Sequence, residues 1–370
     1  MHSPEQYSTW IEVDCTAIEN NVRLLCRMTG VAVMAVVKAN GYGHGAVPVV
    51  RAALQGGATW CGVARIEEAM ELRSAGIDCP ILILGFTPWE KVESAIANDI
   101  SMAAWTADQV NFAAVKAQNL GRKARLHLKV DTGMSRLGLS PEDAVALARS
   151  MVHTPSISFE GVFTHFARAD EKDQFTTQQQ ERCFREVLTS LSAGDMLPPW
   201  IHAANSAATI SHPNTWFNMV RPGIAVYGLD PSPDCRLPSD FRSALAWKTV
   251  ISQIKRLPAG RGVSYGHEYS TASEERIGTL PVGYADGYRR VAGNKVLVRG
   301  KQIPVVGRVC MDQIMVQLDS VPEAREGDEV VLIGSQGEES LTVDNLAAIW
   351  RTVNYEVICG LGARVPRVYR

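Results

Sequence analysis

No uninterrupted apolar run in this 370-residue chain extends much past about ten residues, and a bilayer-spanning helix needs about 20, so no membrane-spanning helix is expected. Charge of one sign is also missing: 37 Lys and Arg face 39 Asp and Glu, a formal net charge of −2. Surfaces that hold nucleic acid or anionic membrane carry a basic excess, and neither partner is expected here. The eight cysteines, Cys15, Cys26, Cys61, Cys79, Cys183, Cys235, Cys310 and Cys359, contain no C-x-x-C pair, and the histidines show no zinc spacing. No metal is expected. Several of these thiols lie in apolar strand-like runs, where cysteine behaves as a small hydrophobe, so they read as reduced and the chain as cytoplasmic. The opening MHSPEQYSTWIEVD has neither the basic start nor the apolar stretch of a secretory signal. Low-complexity tracts are absent too.

What remains is an ordinary globular composition, 46% hydrophobic and 21% charged, with a clear rhythm. Short β-type runs alternate with helical patterns from about residue 30 to 230: VAVMAVV (31–37), WCGVA (60–64), ILILG (81–85), ISMAAW (100–105), ARLHLKV (124–130), ISFEGVF (157–163), WIHAA (200–204) and FNMV (217–220). Many are continuously apolar rather than alternating, the pattern of parallel strands covered on both faces. Helical stretches such as TADQVNFAAVKAQNLG and SPEDAVALARSM begin at the N-caps Thr106 and Ser140. Eight strands with crossover helices predict an α/β fold, a closed (β/α)8 TIM barrel over 10–238, with a doubly wound open sheet as the alternative. After about residue 240 the texture becomes β-rich, in segments such as WKTVISQIKRL, KVLVRG, QIPVVGRV and DEVVLIG, with VDNLAAIWRTV (343–353) the one helical pattern. This predicts a mainly β C-terminal domain over 239–370, with residues 1–9 as an alternative leading segment of it; WIEVD (10–14) fits either domain.

Reactive groups of a (β/α)8 barrel collect where its strands end. The first run ends at Lys38, followed by a loop with Gly41, Gly43 and Gly45. Taken alone, Lys38 is a lysine whose stem packs inside while its ammonium reaches water. The glycines change that reading, because they admit a bound group close to the backbone or take positive φ. A desolvated lysine among other cations can form a Schiff base with an aldehyde cofactor. Further runs lead to Lys129 and Arg136, to His165, to Asn205 and Ser206, and to Arg221, Gly223 and Ile224. Asn205-Ser206 and the backbone of Gly223-Ile224 offer donors for a phosphate. Arg221 is a candidate partner for a pyridine nitrogen; an arginine only donates hydrogen bonds, so it would leave that ring a weak electron sink and require reprotonation close at hand.

AVVKANGYGHG resembles the cofactor-lysine signature of the alanine racemase family, and KVDTGMSRLG, HFARAD, HAANSAAT, RPGIAVYG, GVSYGHEY, PVGYADGYRR, GRVCMDQ and TVNYEVIC follow in the family's order along essentially the whole chain. The resemblance implies a homodimeric enzyme dependent on pyridoxal 5'-phosphate, with sites shared between subunits. It would interconvert L- and D-alanine, supplying D-alanine for bacterial peptidoglycan. It implies that Lys38 holds the cofactor and is one catalytic base, and that Tyr265, lent by the partner subunit, is the other. His165 and Arg221 would support that tyrosine and the ring nitrogen. A free tyrosine titrates at about 10, so a tyrosine base needs such help. Tyr42, Ser206, Gly223, Ile224 and Tyr355 would contact the phosphate, with Asn205 beside them. Arg136 and Met311 would lie near the substrate carboxylate. Lys129 corresponds to a lysine often carbamylated to fix the arginine. Tyr284, Cys310 and Asp312 would line the substrate's approach.

Three other readings compete. A serine or broad-specificity amino-acid racemase keeps the chemistry; Tyr355 and Met311 favour a small substrate instead, though pocket contacts discriminate by only ~1–3 kcal/mol. A barrel-type amino-acid decarboxylase would put a carboxylate, not Arg221, at the ring nitrogen. A non-catalytic cofactor carrier would lack the β domain that bears Tyr265.

Overall fold

A computed structural model describes residues 6–370; of the leading segment 1–9, residues 1–5 lie outside the described residues. Two compact units emerge. One comprises Thr16–Gly41 and Gly45–Ser243; the other comprises the described residues up to Cys15, Tyr42–His44 and Ala244–Arg370. The first strand, β1 (Thr9–Val13), pairs antiparallel with β10 (Leu245–Val250) and parallel with β20 (Arg367–Tyr369), so most of WIEVD sits in the second unit's sheet rather than in the barrel.

The first unit is a closed parallel barrel of β2 (Ala32–Val36), β3 (Trp60–Val63), β4 (Ile81–Ile83), β5 (Ile100–Ala104), β6 (Ala124–Lys129), β7 (Ile157–Phe163), β8 (Trp200–His202) and β9 (Met219–Val220), arranged in chain order. All eight expected strand runs are present, and closure excludes the open-sheet alternative. β3 and β4 are buried at every position, as strands with the barrel interior on one side and helices on the other must be. Met34, Trp60, Leu82 and Met219 form one interior layer. The helices start where their caps dictate. Thr106 accepts from the Gln109 backbone N–H while the Gln109 side chain returns to the Thr106 N–H, a reciprocal box. Ser140 accepts from Asp143 N–H, with Pro141 in the first helical position.

One join in this barrel is irregular. The β6–β7 register shifts between Leu126 and His127, and the interior residue there is the imidazole of His127. A methyl added at Gly161 on β7 would stand 2.2 Å from His127 Nδ1. Glycine at 161 is therefore what lets a histidine occupy the interior at this level.

The second unit is β-rich, as expected. Besides β1, β10 and β20, its ten-stranded sheet contains β11 (Gln253–Leu257), β14 (Glu275–Leu280), β15 (Lys295–Val298), β16 (Lys301–Val306), β17 (Ile314–Gln317), β18 (Glu329–Gln336) and β19 (Glu339–Leu341); β12 (Gly262–Val263) and β13 (Tyr269–Ser270) form a separate hairpin. WKTVISQIKRL divides into two strands, and a short helix, Asn354–Cys359, follows the expected one at Val343–Trp350. Trp247, Tyr288 and Trp350 pack edge to face, with centroids 5.7 and 5.8 Å apart.

Gly161→Ala is expected to cost about 1–3 kcal/mol through overpacking against His127, read as a lowered urea midpoint; an unchanged midpoint would show that the join tolerates a side chain.

Candidate active site

Lys38 lies two residues beyond the end of β2, at the head of a turn that no run of ordinary residues adopts readily. Ala39, Asn40 and Tyr42 have φ of 54°, 52° and 51°, and Gly41 has 60°. Left-handed backbone costs roughly 1–2 kcal/mol per non-glycine residue. Several bonds hold it. Glu68 accepts from Ala39 N–H at 2.6 Å and also from Ala64 and Arg65 N–H; Asn40 Oδ1 accepts from Ala46 N–H at 2.9 Å; Gly41 N–H donates to Val37 O at 2.8 Å. Gly43 and Gly45 also have positive φ. In the second unit, a methyl at Gly43 would stand 2.1 Å from Ile358 O, and Tyr42 faces Tyr355 at 6.3 Å. The glycines thus serve the turn and its close packing, while the strain itself falls mostly on non-glycine residues.

The barrel concentrates positive charge. Arg221, just past β9, is buried. Its Nη1 lies 3.1 Å from His202 Nδ1, and its Nη2 donates to Thr164 O at 2.8 Å and Ala203 O at 3.1 Å and lies 3.3 Å from His165 Nδ1. The Phe163 ring lies 5.3 Å from its Cζ and 5.0 Å from Lys129 Nζ. Burial, joined by Arg221, Arg136 and Lys38, pushes the Lys129 amine from 10.5 down to about 7, with Asp131 opposing. The same burial and cations hold His165 well below the usual imidazole range, so it is neutral. Burial brings Arg221 down to about 9, which leaves it charged at neutral pH. Arg136 follows a turn knotted by Asp131, whose Oδ1 accepts from Gly133, Met134 and Ser135 N–H at 2.9, 2.9 and 3.0 Å.

Opposite charge is scarce among these groups, so the set fits anionic ligands. Ser206 begins the helix Ser206–Ser211, capped by Asn205 through Ala208 N–H at 3.0 Å. Its hydroxyl accepts from Gly223 N–H at 2.8 Å and Ala225 N–H at 3.3 Å. With both lone pairs engaged, the hydroxyl has its proton left to donate. Arg221 has five N–H groups, of which Nε–H and one on Nη1 have no recorded acceptor among the described residues. A phosphate, a carboxylate and a neutral ring nitrogen suit these donors. Pyridoxal phosphate with an amino-acid substrate supplies all three, so the residues present fit that group.

Other expected residues gather in the second unit. Tyr265 lies on a tight turn between Ser264 and Gly266, with φ of 65° and 74°. Ser264 donates to Arg308 O at 2.7 Å and lies 3.4 Å from Cys310 Sγ. Tyr284 N–H donates to Cys310 O at 3.0 Å, and Arg364 bridges Asp286 and Asp312, at 2.6 Å to each. Tyr265, Tyr284 and Met311 are 69%, 47% and 52% exposed, large side chains left open to solvent in the isolated chain. Sequence reasoning missed Glu68, Asp131, His127, His202 and Glu160. Asp131 carried a readable signal, an aspartate two residues before glycine; the bond from Glu68 to Ala39 and the contacts of His127, His202 and Glu160 span long separations and carried none.

The two halves match family models described as alanine racemase, N-terminal domain (residues 13–231) and alanine racemase, C-terminal domain (residues 244–369). The alanine racemase of Symbiobacterium thermophilum is 47% identical over 98% of this chain and 97% of its own length. The structure of alanine racemase from Bacillus anthracis with bound L-Ala-P superposes with a TM-score of 0.94 at 40% identity, covering 100% of this chain and 96% of that one. A histidine racemase from Leuconostoc mesenteroides superposes at 0.91 with 29% identity, covering 100% and 99%.

Lys129 generates a pH signature in the cofactor-free protein. Its folded pKa lies below its unfolded one, so the unfolded chain binds more protons between about 7 and about 10.4, and this group's contribution to stability rises with pH across that window. Lys129→Met is expected to unfold at higher urea than the parent at about pH 6, with that advantage shrinking across the window and reduced by roughly half by about pH 9. Parallel curves would contradict the buried-cation cluster.

Proposed function

The chain belongs to the alanine racemase family of pyridoxal-phosphate-dependent isomerases, and from that premise we propose that it interconverts L- and D-alanine with two bases, Lys38 and Tyr265, working on opposite faces of the substrate α-carbon. The observation that carries the reading is the gathering of Lys38, Arg136 and Arg221 within electrostatic reach of Lys129 in the barrel. When bound, pyridoxal phosphate supplies an aldehyde that condenses with amines and a ring that withdraws electrons from the adjoining carbon.

Lys38 is the residue that would hold that group, and Ser206, Gly223 and Ile224, with Tyr42 and Tyr355, would hold its phosphate. Arg221 would offer its unused N–H groups to the ring nitrogen. A guanidinium donates without giving up its proton, so the deprotonated α-carbon gains little stabilisation and a proton donor must stand ready. Lys38 takes the α-proton of D-alanine while the Tyr265 hydroxyl delivers one to the other face; for L-alanine the roles exchange. His165, neutral and bonded to Arg221, assists the tyrosine. Exposure of Tyr265, Tyr284 and Met311 supports a homodimer in which Tyr265 of one subunit completes the site of the other, with Tyr284, Cys310 and Asp312 along the substrate's approach. Lys129, neutral for much of the time near pH 7, can attack carbon dioxide, forming an N–C bond and releasing a proton. The resulting carbamate would orient Arg136 toward the substrate carboxylate, beside Met311. Its domains are proposed as a cofactor-binding barrel and a β domain, with residues 10–15 of the expected 10–238 span joining the β domain through β1; the location is proposed as cytoplasmic, and the use of D-alanine as peptidoglycan synthesis. No helix of the described residues is long and apolar enough to cross a membrane.

Alanine is preferred as substrate because relatives 41–47% identical over nearly the whole chain carry that name, whereas the histidine racemase stands at 29%. Racemisation of D-alanine in deuterated water is expected to give α-deuterated L-alanine; carbon dioxide release would indicate a decarboxylase, and inertness a carrier. A panel read by chiral chromatography should rank alanine above serine and histidine. Lys38→Ala should abolish turnover and the covalently held cofactor's absorbance. Tyr265→Phe should keep the cofactor and lose exchange chiefly from L-alanine. Mixed Lys38→Ala and Tyr265→Phe subunits should regain activity; none after demonstrated exchange would refute the shared site. Carbon-13 bicarbonate should give a carbamate resonance that Lys129→Met lacks.

A further inference from the structure

Behind Arg221 a column of polar side chains descends through the barrel interior, and the proposed function uses none of it below the arginine. Arg221 Nη1 meets His202 Nδ1 at 3.1 Å; His202 and His127 meet through Nε2 and Nδ1 at 2.9 Å; His127 Nε2 then faces Glu160 Oε2 at 3.7 Å, an ion-pair separation rather than a hydrogen bond. Both imidazoles are fully buried, while the Glu160 side chain is 17% exposed, so the column runs from the guanidinium toward solvent. Ser101 donates to Glu160 Oε2 at 2.6 Å, and Arg125 Nε stands 3.7 Å from Oε1. The column is built in. Gly161 leaves room for His127, Phe163 stacks on His202 at 4.9 Å and 10°, and Trp60 meets the edge of His127 at 5.5 Å.

The proton positions follow from Arg221. A guanidinium only donates, so His202 Nδ1 must accept and its proton sits on Nε2. That proton goes to His127 Nδ1, which must accept in turn, so the proton of His127 is on Nε2 and points at the carboxylate. A carboxylate that fixes an imidazole's tautomer is an established device; here two imidazoles stand in series. The charges agree with it. Burial holds both histidines below the usual range, so they are neutral. Burial works against a charged Glu160, but His127, Ser101 and Arg125 outweigh it and keep its carboxyl below the usual range.

We propose that Glu160 is a positioning residue for Arg221: through His127 and His202 it fixes which ring nitrogens accept, and so anchors the guanidinium while its unused N–H groups stay directed at the ligand. The proposal rests on the reading that Arg221 faces the cofactor ring. Glu160→Gln tests it with little change of shape. Arg125 can only donate, whereas the Ser101 hydroxyl can reverse and accept, so the new amide is expected to keep its oxygen beside Arg125 and to turn its N–H toward Ser101 and His127. His127 Nε2 would then accept, both tautomers would reverse, and His202 Nδ1–H would oppose Arg221 Nη1–H.

The measurement is nitrogen-15 NMR of holoenzyme labelled at histidine, with pyridoxal-phosphate affinity, absorbance and kcat read beside it. The parent should carry the protons of His127 and His202 on Nε2. Glu160→Gln should move them to Nδ1 or mix the two forms, displace the cofactor absorbance, and lower cofactor affinity or kcat about tenfold, the lower end of what outlying supporting partners give. Glu160→Asp keeps a carboxylate and should hold the parent tautomers with much of the activity. Nδ1 protons in the parent, or parental tautomers in Glu160→Gln, would overturn the proposal, as would activity and affinity within about twofold of the parent in that variant. A parent without racemase activity would instead sink the proposed function and leave the tautomer result standing.

Discussion

A guanidinium with almost no access to water needs acceptors from the fold, and much of the barrel's polar interior supplies them to Arg221 while leaving Nε–H and one Nη1 N–H for a ligand. Two backbone carbonyls, from Thr164 and Ala203, and two imidazoles, from His165 and His202, surround it. Each is on or just past the end of β7 or β8. A buried donor left unmet costs about 1–3 kcal/mol, so the arginine is held by the fold rather than by its own flexible stem. The same charge, with Lys129, Arg136 and Lys38, keeps His165 neutral and lowers the Lys129 amine to about 7. A surplus of positive charge suited to anions and a neutral His165 are thus two results of one electrostatic arrangement.

The lysine turn shows a second trade. A stretch of consecutive left-handed residues stores strain, and such strain persists only where surroundings over-determine it. Here Glu68 and Asn40 supply the compensating bonds. The turn lets the chain leave β2, place Lys38 just past the strand, and send Tyr42–His44 into the second unit, where Gly43 packs against Ile358 O. A looser loop would give the amine more ways to miss its partner, and reactions between held groups depend steeply on placement.

The second unit handles its candidate site side chains differently. Tyr265, Tyr284 and Met311 stand open on short turns whose backbones are tied to the segment around Cys310. Rigid backbone under exposed aromatic side chains is the arrangement expected of a surface that meets a partner, since aromatic anchors dominate such interfaces. That is why the proposed reaction is written across two subunits.

Local information carried the sequence a long way. Eight apolar runs announced the parallel barrel because burial on both faces forbids alternation, and Thr106 and Ser140 marked their helices because capping is decided within three residues. Lys38, Arg221 and Ser206 could be picked out as candidates because reactive groups in such a barrel collect where its strands end. Tertiary structure alone decided the rest. The partners of β1 lie more than 200 residues away in the chain, so WIEVD could not declare its sheet. The left-handed φ of Ala39 and Tyr42 could not be read from residues that normally avoid it. The column from Arg221 to Glu160 joins side chains from β6, β7 and β8 and the segment after β9, none adjacent in sequence, and histidine and glutamate look the same in a string whether they meet water or each other. Hydrogen bonds depend on distances of a few tenths of an ångström, and only folding sets those.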